Sequence, residues 1–194
     1  MVPSREEAER LLCEGEALHP GPWGNHSRVA ARCAERIARA CGESADTAYV
    51  CGLLHDIGRR FGTRHLGHVV DGYRYMLSLG YDEVARACLT HSFTTLHLYD
   101  YVGKNDLTPQ EQEILEEAMQ GLELSDMDRL IQLCDCLAGA EGVMDMEARM
   151  ADVERRYGYY PEEKREVNRR NRAYFEKRMG RDVYEVVCGG EDTL

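Results

Sequence analysis

From residue 23 to residue 108 the chain contains no proline, and its apolar residues recur there at steps of three and four. That spacing stacks side chains on one face of an α-helix, whereas a half-buried strand needs strict alternation. Alternating runs are scarce; "RDVYEVV", near the end, reads as a short strand or tail. The five prolines, at 3, 20, 22, 109 and 161, fall near helix starts or in loops. Ser4 with Glu7, Thr108-Pro109 with Glu111, and Ser125 with Asp128 look like helix N-termini. Gly42, Gly62, Gly80 and Gly180 stand where helices stop. The pattern predicts helices over about 4–17, 25–41, 45–60, 66–79, 82–92, 109–121, 126–140, 145–157 and 162–178. An all-α helical bundle in a single domain, residues 1–194, is expected. Residues 92–107 form the longest irregular segment, and such loops often line sites.

The formal net charge is −11, which argues against a nucleic-acid backbone or an anionic membrane as a partner. A small phosphorylated substrate stays compatible, because bound metal reverses the local sign. The N-terminal "MVPSREEAERLL" lacks the apolar centre of a signal peptide, and no apolar run is long enough for a membrane span. The eight cysteines include no Cys-x-x-Cys pair and read as reduced core thiols of a cytoplasmic protein.

Six polar residues break the apolar faces. His26 joins the stripe of Val29, Ala30 and Cys33; His55 follows Cys51 and Gly52, with Asp56 at the edge. His68 shares a side with Gly72 and Met76, His91 follows Cys88 by three, and Asp135 lies between Ile131 and Ala138. Each residue alone has an ordinary explanation as a satisfied core group or a cap. Together, four histidines and two aspartates turned inward from five helices are most simply explained by a metal site with nitrogen and oxygen donors.

At His26 in "NHSRVAARCAERIA", His55-Asp56 in "GLLHDIG" and Asp135 in "LIQLCDCLAG" the chain resembles the HD-domain metal-dependent phosphohydrolase superfamily. The resemblance spans about residues 20–145, leaving a C-terminal helical extension over about 146–194. His68 and His91 match the two extra histidines of dinuclear, six-ligand members. The GYP motif of the cyclic-dinucleotide phosphodiesterases is missing. Mononuclear 5′-nucleotidases carry a glutamate where Arg59 stands, and dinuclear members often a lysine.

The resemblance implies two divalent ions, iron, manganese or similar. The first would be held by His26, His55, Asp56 and Asp135, the second by Asp56, His68 and His91. Paired ions can acidify a water and neutralise a phosphoryl group. The implied activity is hydrolysis of a phosphoester or phosphoanhydride in a small metabolite, such as a nucleotide, with Asp56 and Arg59 as catalytic candidates. Forked guanidinium groups at Arg59, Arg60 and Arg64 suit phosphate oxygens and equally suit a solvated helix end. Arg59, Arg64, His97 and Lys104 are the candidate substrate contacts; His19 and His65 read as loop and surface residues. The C-terminal third has no ligand-like spacing and is expected to pack over the core, with Tyr157, Tyr159 and Tyr160 as packing residues or, alternatively, a stack for a base. Two other readings stay open here, a non-catalytic metal- or nucleotide-binding regulator and a dinuclear-iron oxygenase.

Overall fold

The structure is a computed structural model that describes residues 1–189. It contains ten α-helices among these residues: α1 Arg5–Leu18, α2 Trp23–Ala40, α3 Ala45–Leu54, α4 Gly67–Ser78, α5 Asp82–Thr90, α6 Pro109–Met119, α7 Asp126–Leu137, α8 Met146–Tyr157, α9 Glu162–Met179 and α10 Val183–Cys188. The fold is all-α. The expected caps operate. Ser4 accepts from the Glu7 amide, while Thr108 with Glu111 and Ser125 with Asp128 form reciprocal capping boxes. Each of these bonds satisfies an amide that the helix itself leaves unpaired. Gly180 ends α9 in the left-handed region, at φ 64°.

Three elements differ from expectation. The helix expected over 45–60 stops at Leu54, and a tight 3-10 turn, Ile57–Phe61, replaces its end. The helix expected to run to residue 140 stops at Leu137, and Ala138 pairs with Val143 in an isolated bridge. The segment expected as strand or tail is α10, capped by the Asp182 side chain on the Tyr184 amide. Val183 and Val187, four apart, are buried there. Helical spacing thus prevails over β-branched composition once α2 and α9 offer a surface.

A large buried cluster runs from Ala8 and Leu12 in α1 through Ile37, Leu53 and Ile131 to Phe175 and Val187. A smaller one joins α4, α5 and α6 through Val70, Leu89 and Leu115, with Phe93 just beyond α5. Cys33, Cys51, Cys88, Cys134 and Cys136 are buried; Cys13 and Cys188 are exposed. Residues 92–107 stay irregular apart from a short 3-10 turn, Leu98–Asp100. Buried Asp100 accepts from the Thr95 amide and hydroxyl, and Asp106 accepts from the amides of His65 and Gly67.

Candidate metal centre

Two glycines allow the helices carrying the polar residues to meet. A methyl group on Gly52 of α3 would come within 2.9 Å of the Ala31 Cα in α2. One on Gly58, in the 3-10 turn, would overlap the His68 carbonyl oxygen of α4. The break after Leu54 therefore serves two contacts: it turns Asp56 away from the α3 axis and seats the turn against α4.

The six residues form two groups. His26, His55 and Asp135 make one; Asp56, His68 and His91 make the other. In the first, His26 Nε2 is 2.9 Å and His55 Nε2 3.6 Å from Asp135 Oδ1. In the second, His68 Nε2 is 3.0 Å and His91 Nε2 3.6 Å from Asp56 Oδ1. The paired imidazoles face each other through Nε2 atoms 3.3 Å apart, His26 to His55 and His68 to His91. The rings of His55 and His91 lie 5.0 Å apart and connect the groups.

Helix ends set the tautomers. His55 Nδ1–H donates to the Gly52 carbonyl at 2.7 Å, His91 Nδ1–H to Cys88 at 2.8 Å, and His26 Nδ1–H to Ala138 at 3.1 Å. These carbonyls lie in or just beyond the last turns of α3, α5 and α7, where no helical amide reaches them. His68 Nδ1–H donates to His65. In the neutral ring each Nε2 is then a bare lone pair. Each group thus confronts two lone pairs with a carboxylate oxygen and no proton among them. Asp56 Oδ1 is buried with no hydrogen-bond partner. Such an arrangement fits a divalent cation, and backbone-anchored imidazoles are the usual form of metal-binding histidine. Asp56 falls in the group of His68 and His91, and its Oδ2 accepts from Arg59 Nε at 2.6 Å.

Burial works to raise the Asp56 carboxyl, but Arg59 and His68 outweigh it and hold it well below the usual carboxylate range. His26 and His55 do the same for Asp135 against its burial. Burial opposes the His55 cation too, yet Asp135 and Asp56 leave its pKa raised. His91 is pushed down to about 3, by burial first and by His55 as well.

Both groups open on a cavity of about 550 Å³. Arg59 lines it. Arg64, His97 and Lys104 do not. Arg64 is held instead by Asp71 and Glu111, His97 stacks on Tyr99 at 5.0 Å, and exposed Lys104 offers its carbonyl to the Leu66 amide. His19, expected in a loop, lies in the wall, where its carbonyl accepts from Trp23 Nε1. Tyr157 and Tyr160 also line the cavity, while Tyr159 donates to the Tyr101 carbonyl.

The HD domain family model matches residues 23–140. The chain belongs to the HD domain family. Neither the curated proteins nor the solved structures compared gave a match. HD domains are typical of metal-dependent phosphohydrolases, and both groups lie within the matched segment. Among the described residues no helix is long and apolar enough to cross a membrane.

Part of the cavity comes from beyond the HD match. Arg149 and Arg156 of α8 and Lys164 of α9 line it. Lys164 Nζ donates to the Ser92 carbonyl at 2.6 Å; burial lowers its pKa against the pull of Asp100 and Asp135. Sequence reasoning missed these residues. A usable signal was present, since Lys164, Asn168, Asn171 and Phe175 follow one another at steps of four, three and four along one face of α9.

Proposed function

We propose that this chain is a metal-dependent phosphohydrolase that cleaves a phosphoester or phosphoanhydride of a small metabolite, a nucleotide by preference. The observation that carries this reading is the convergence of four bare Nε2 atoms and two carboxylates on a cavity that also presents Arg59. His26, His55 and Asp135 would hold one ion and Asp56, His68 and His91 a second. Iron, manganese or a similar divalent metal suits donors of this kind. Bound ions supply positive charge to a phosphoryl group and acidify water.

The chain's own residues do the rest. Arg59 neutralises Asp56 and offers its remaining N–H groups to phosphoryl oxygens. The four ring N–H bonds to backbone carbonyls fix the imidazole orientations before substrate arrives. Trp23, Tyr101, Tyr157 and Tyr160 give the cavity aromatic surface of the kind that accepts a base. The eight cysteines are all free, which suits a reducing, cytoplasmic setting. We read the chain as one folding unit, because the main buried cluster extends from α1 to α10.

Metal analysis of anaerobically purified protein, followed by phosphate release from a panel of nucleotides, tests the proposal. Metal-dependent release that disappears in Asp135→Ala is expected. A metal-loaded protein that releases no phosphate, or that consumes oxygen with its substrate, overturns it.

A further inference from the structure

The cavity has a charge pattern that its metal groups do not explain. Four cations line it, Arg59, Arg149, Arg156 and Lys164, against two carboxylates, Asp56 and Asp135, in a chain whose formal net charge is −11. Two of the cations are accounted for by acids, Arg59 by Asp56 and Arg156 by Asp152 at 3.0 Å. The other two have no carboxylate within ion-pair distance among the described residues. Half-buried Lys164 makes one hydrogen bond, to the Ser92 carbonyl, and an ammonium has three donors. The half-buried Arg149 guanidinium has no hydrogen bond or ion pair among the described residues. Partly buried cations of a small protein are ordinarily paired, and the other partly buried arginines of α9, Arg165, Arg172 and Arg178, follow this rule. Both unpaired cations line the same cavity as Asp135 and its neighbour Cys136 at the end of α7.

We infer that Lys164 of α9 and Arg149 of α8 form an anion subsite beside the metal centre, so that the substrate carries at least two phosphate groups, one cleaved and one held. This assignment rests on the phosphohydrolase reading for the first phosphate and on the unpaired cations for the second. It gives the helices beyond the HD match the task of choosing the substrate. A monophosphate held at the metal centre would leave Lys164 and Arg149 unmatched; a diphosphate reaches both the metal centre and the cation pair.

The test is calorimetric titration of metal-loaded full-length protein with inorganic phosphate and with inorganic pyrophosphate. Pyrophosphate should bind wild-type protein about tenfold or more tightly than phosphate, as expected when a second charge-assisted contact is added. Lys164→Gln and Arg149→Gln should each remove most of that difference. Lys164→Gln keeps an amide donor for Ser92, and Arg149→Gln breaks no internal bond, so unchanged melting temperatures are expected for both. Equal affinity for the two anions in wild-type protein, no binding of either, or full pyrophosphate affinity in both variants overturns the subsite. Pyrophosphate binding that depends on Lys164 and Arg149, in a protein that hydrolyses nothing when metal-loaded, would overturn the hydrolase reading and leave the subsite standing.

Discussion

The two candidate metal groups offer the same three donors, two imidazoles and a carboxylate, but they sit at different depths. In the group of His26, His55 and Asp135 the aspartate side chain is 32% exposed toward the cavity; in the group of Asp56, His68 and His91 it is 6% exposed. The enclosed carboxylate also carries a resident counter-ion, Arg59, and the open one does not. An open site favours exchange and contact with substrate. An enclosed one favours retention, since each charge left there without a partner costs more. Depth, rather than ligand type, separates the two groups.

The largest effect should come from removing either carboxylate. Asp56→Ala and Asp135→Ala should each cut metal affinity by about 100-fold or more, because losing even an outer partner of a ligand costs about 10–100-fold. If depth matters, Asp56→Ala loses metal from its partner group too, whereas Asp135→Ala leaves one ion retained. Plasma emission counts of metal per chain, after dialysis, decide this. Equal stoichiometry in the two variants would erase the distinction.

Stripping the metal comes next. At free metal about 1,000 times the dissociation constant, binding adds about 4 kcal/mol to folding stability. For a chain of this size, chelation should therefore lower the melting temperature by roughly 8–16 °C. In a slow chelator titration the open group should release its ion faster, with the enclosed group following before a singly filled form builds up.

Arg59 belongs to the enclosed side alone. Arg59→Ala should lower kcat/KM by about tenfold, near 1.4 kcal/mol, and Arg59→Lys should recover part of it, because charge remains while the fork is lost. Near-normal turnover in both would reduce Arg59 to a counter-ion of Asp56.

The smallest effect is on acid stability of the metal-free protein. His91 stays neutral down to about pH 3, whereas an unfolded chain takes up that proton near 6.5. Between those values the unfolded state binds more protons, so stability falls as pH drops through this window. The raised pKa of His55 acts in the opposite sense: its contribution is complete below about 6.5 and fades as pH rises through the folded value. The net slope should stay under about 1.4 kcal/mol per pH unit. His91→Gln should flatten the fall in melting temperature between pH 6 and pH 4, on the order of a few degrees; an unaltered profile would remove the enclosed group as its cause.

Much of this could be read before the structure. The helices follow from apolar spacing and caps, and the inward turn of His26, His55, His68, His91 and Asp135 follows from the same spacing. The division into two groups could not be read, because it depends on where helices stop. The sequence pattern runs smoothly through His55 and His91, and only the ends at Leu54 and Thr90 place them beyond the last turn. The placing of Arg64 outside the cavity could not be read for a related reason. Its partners, Asp71 and Glu111, sit on two other helices, and a guanidinium that suits phosphate suits carboxylates equally. The extension's contribution stayed hidden because Lys164 and Arg149 lie among many basic residues whose partners are acids close in the chain, at Arg155 and Arg172 for example.

One peptide bond joins the two groups. His55 and Asp56 are consecutive, the first supplying its imidazole to one group and the second its carboxylate to the other. Whatever fixes that amide for one group fixes it for its neighbour, so the ordering penalty falls on the first ion and is largely spared the second. On the proposed two-ion reading, loading is then cooperative. A population titrated with metal should divide into empty and doubly filled molecules, with the singly filled form scarce.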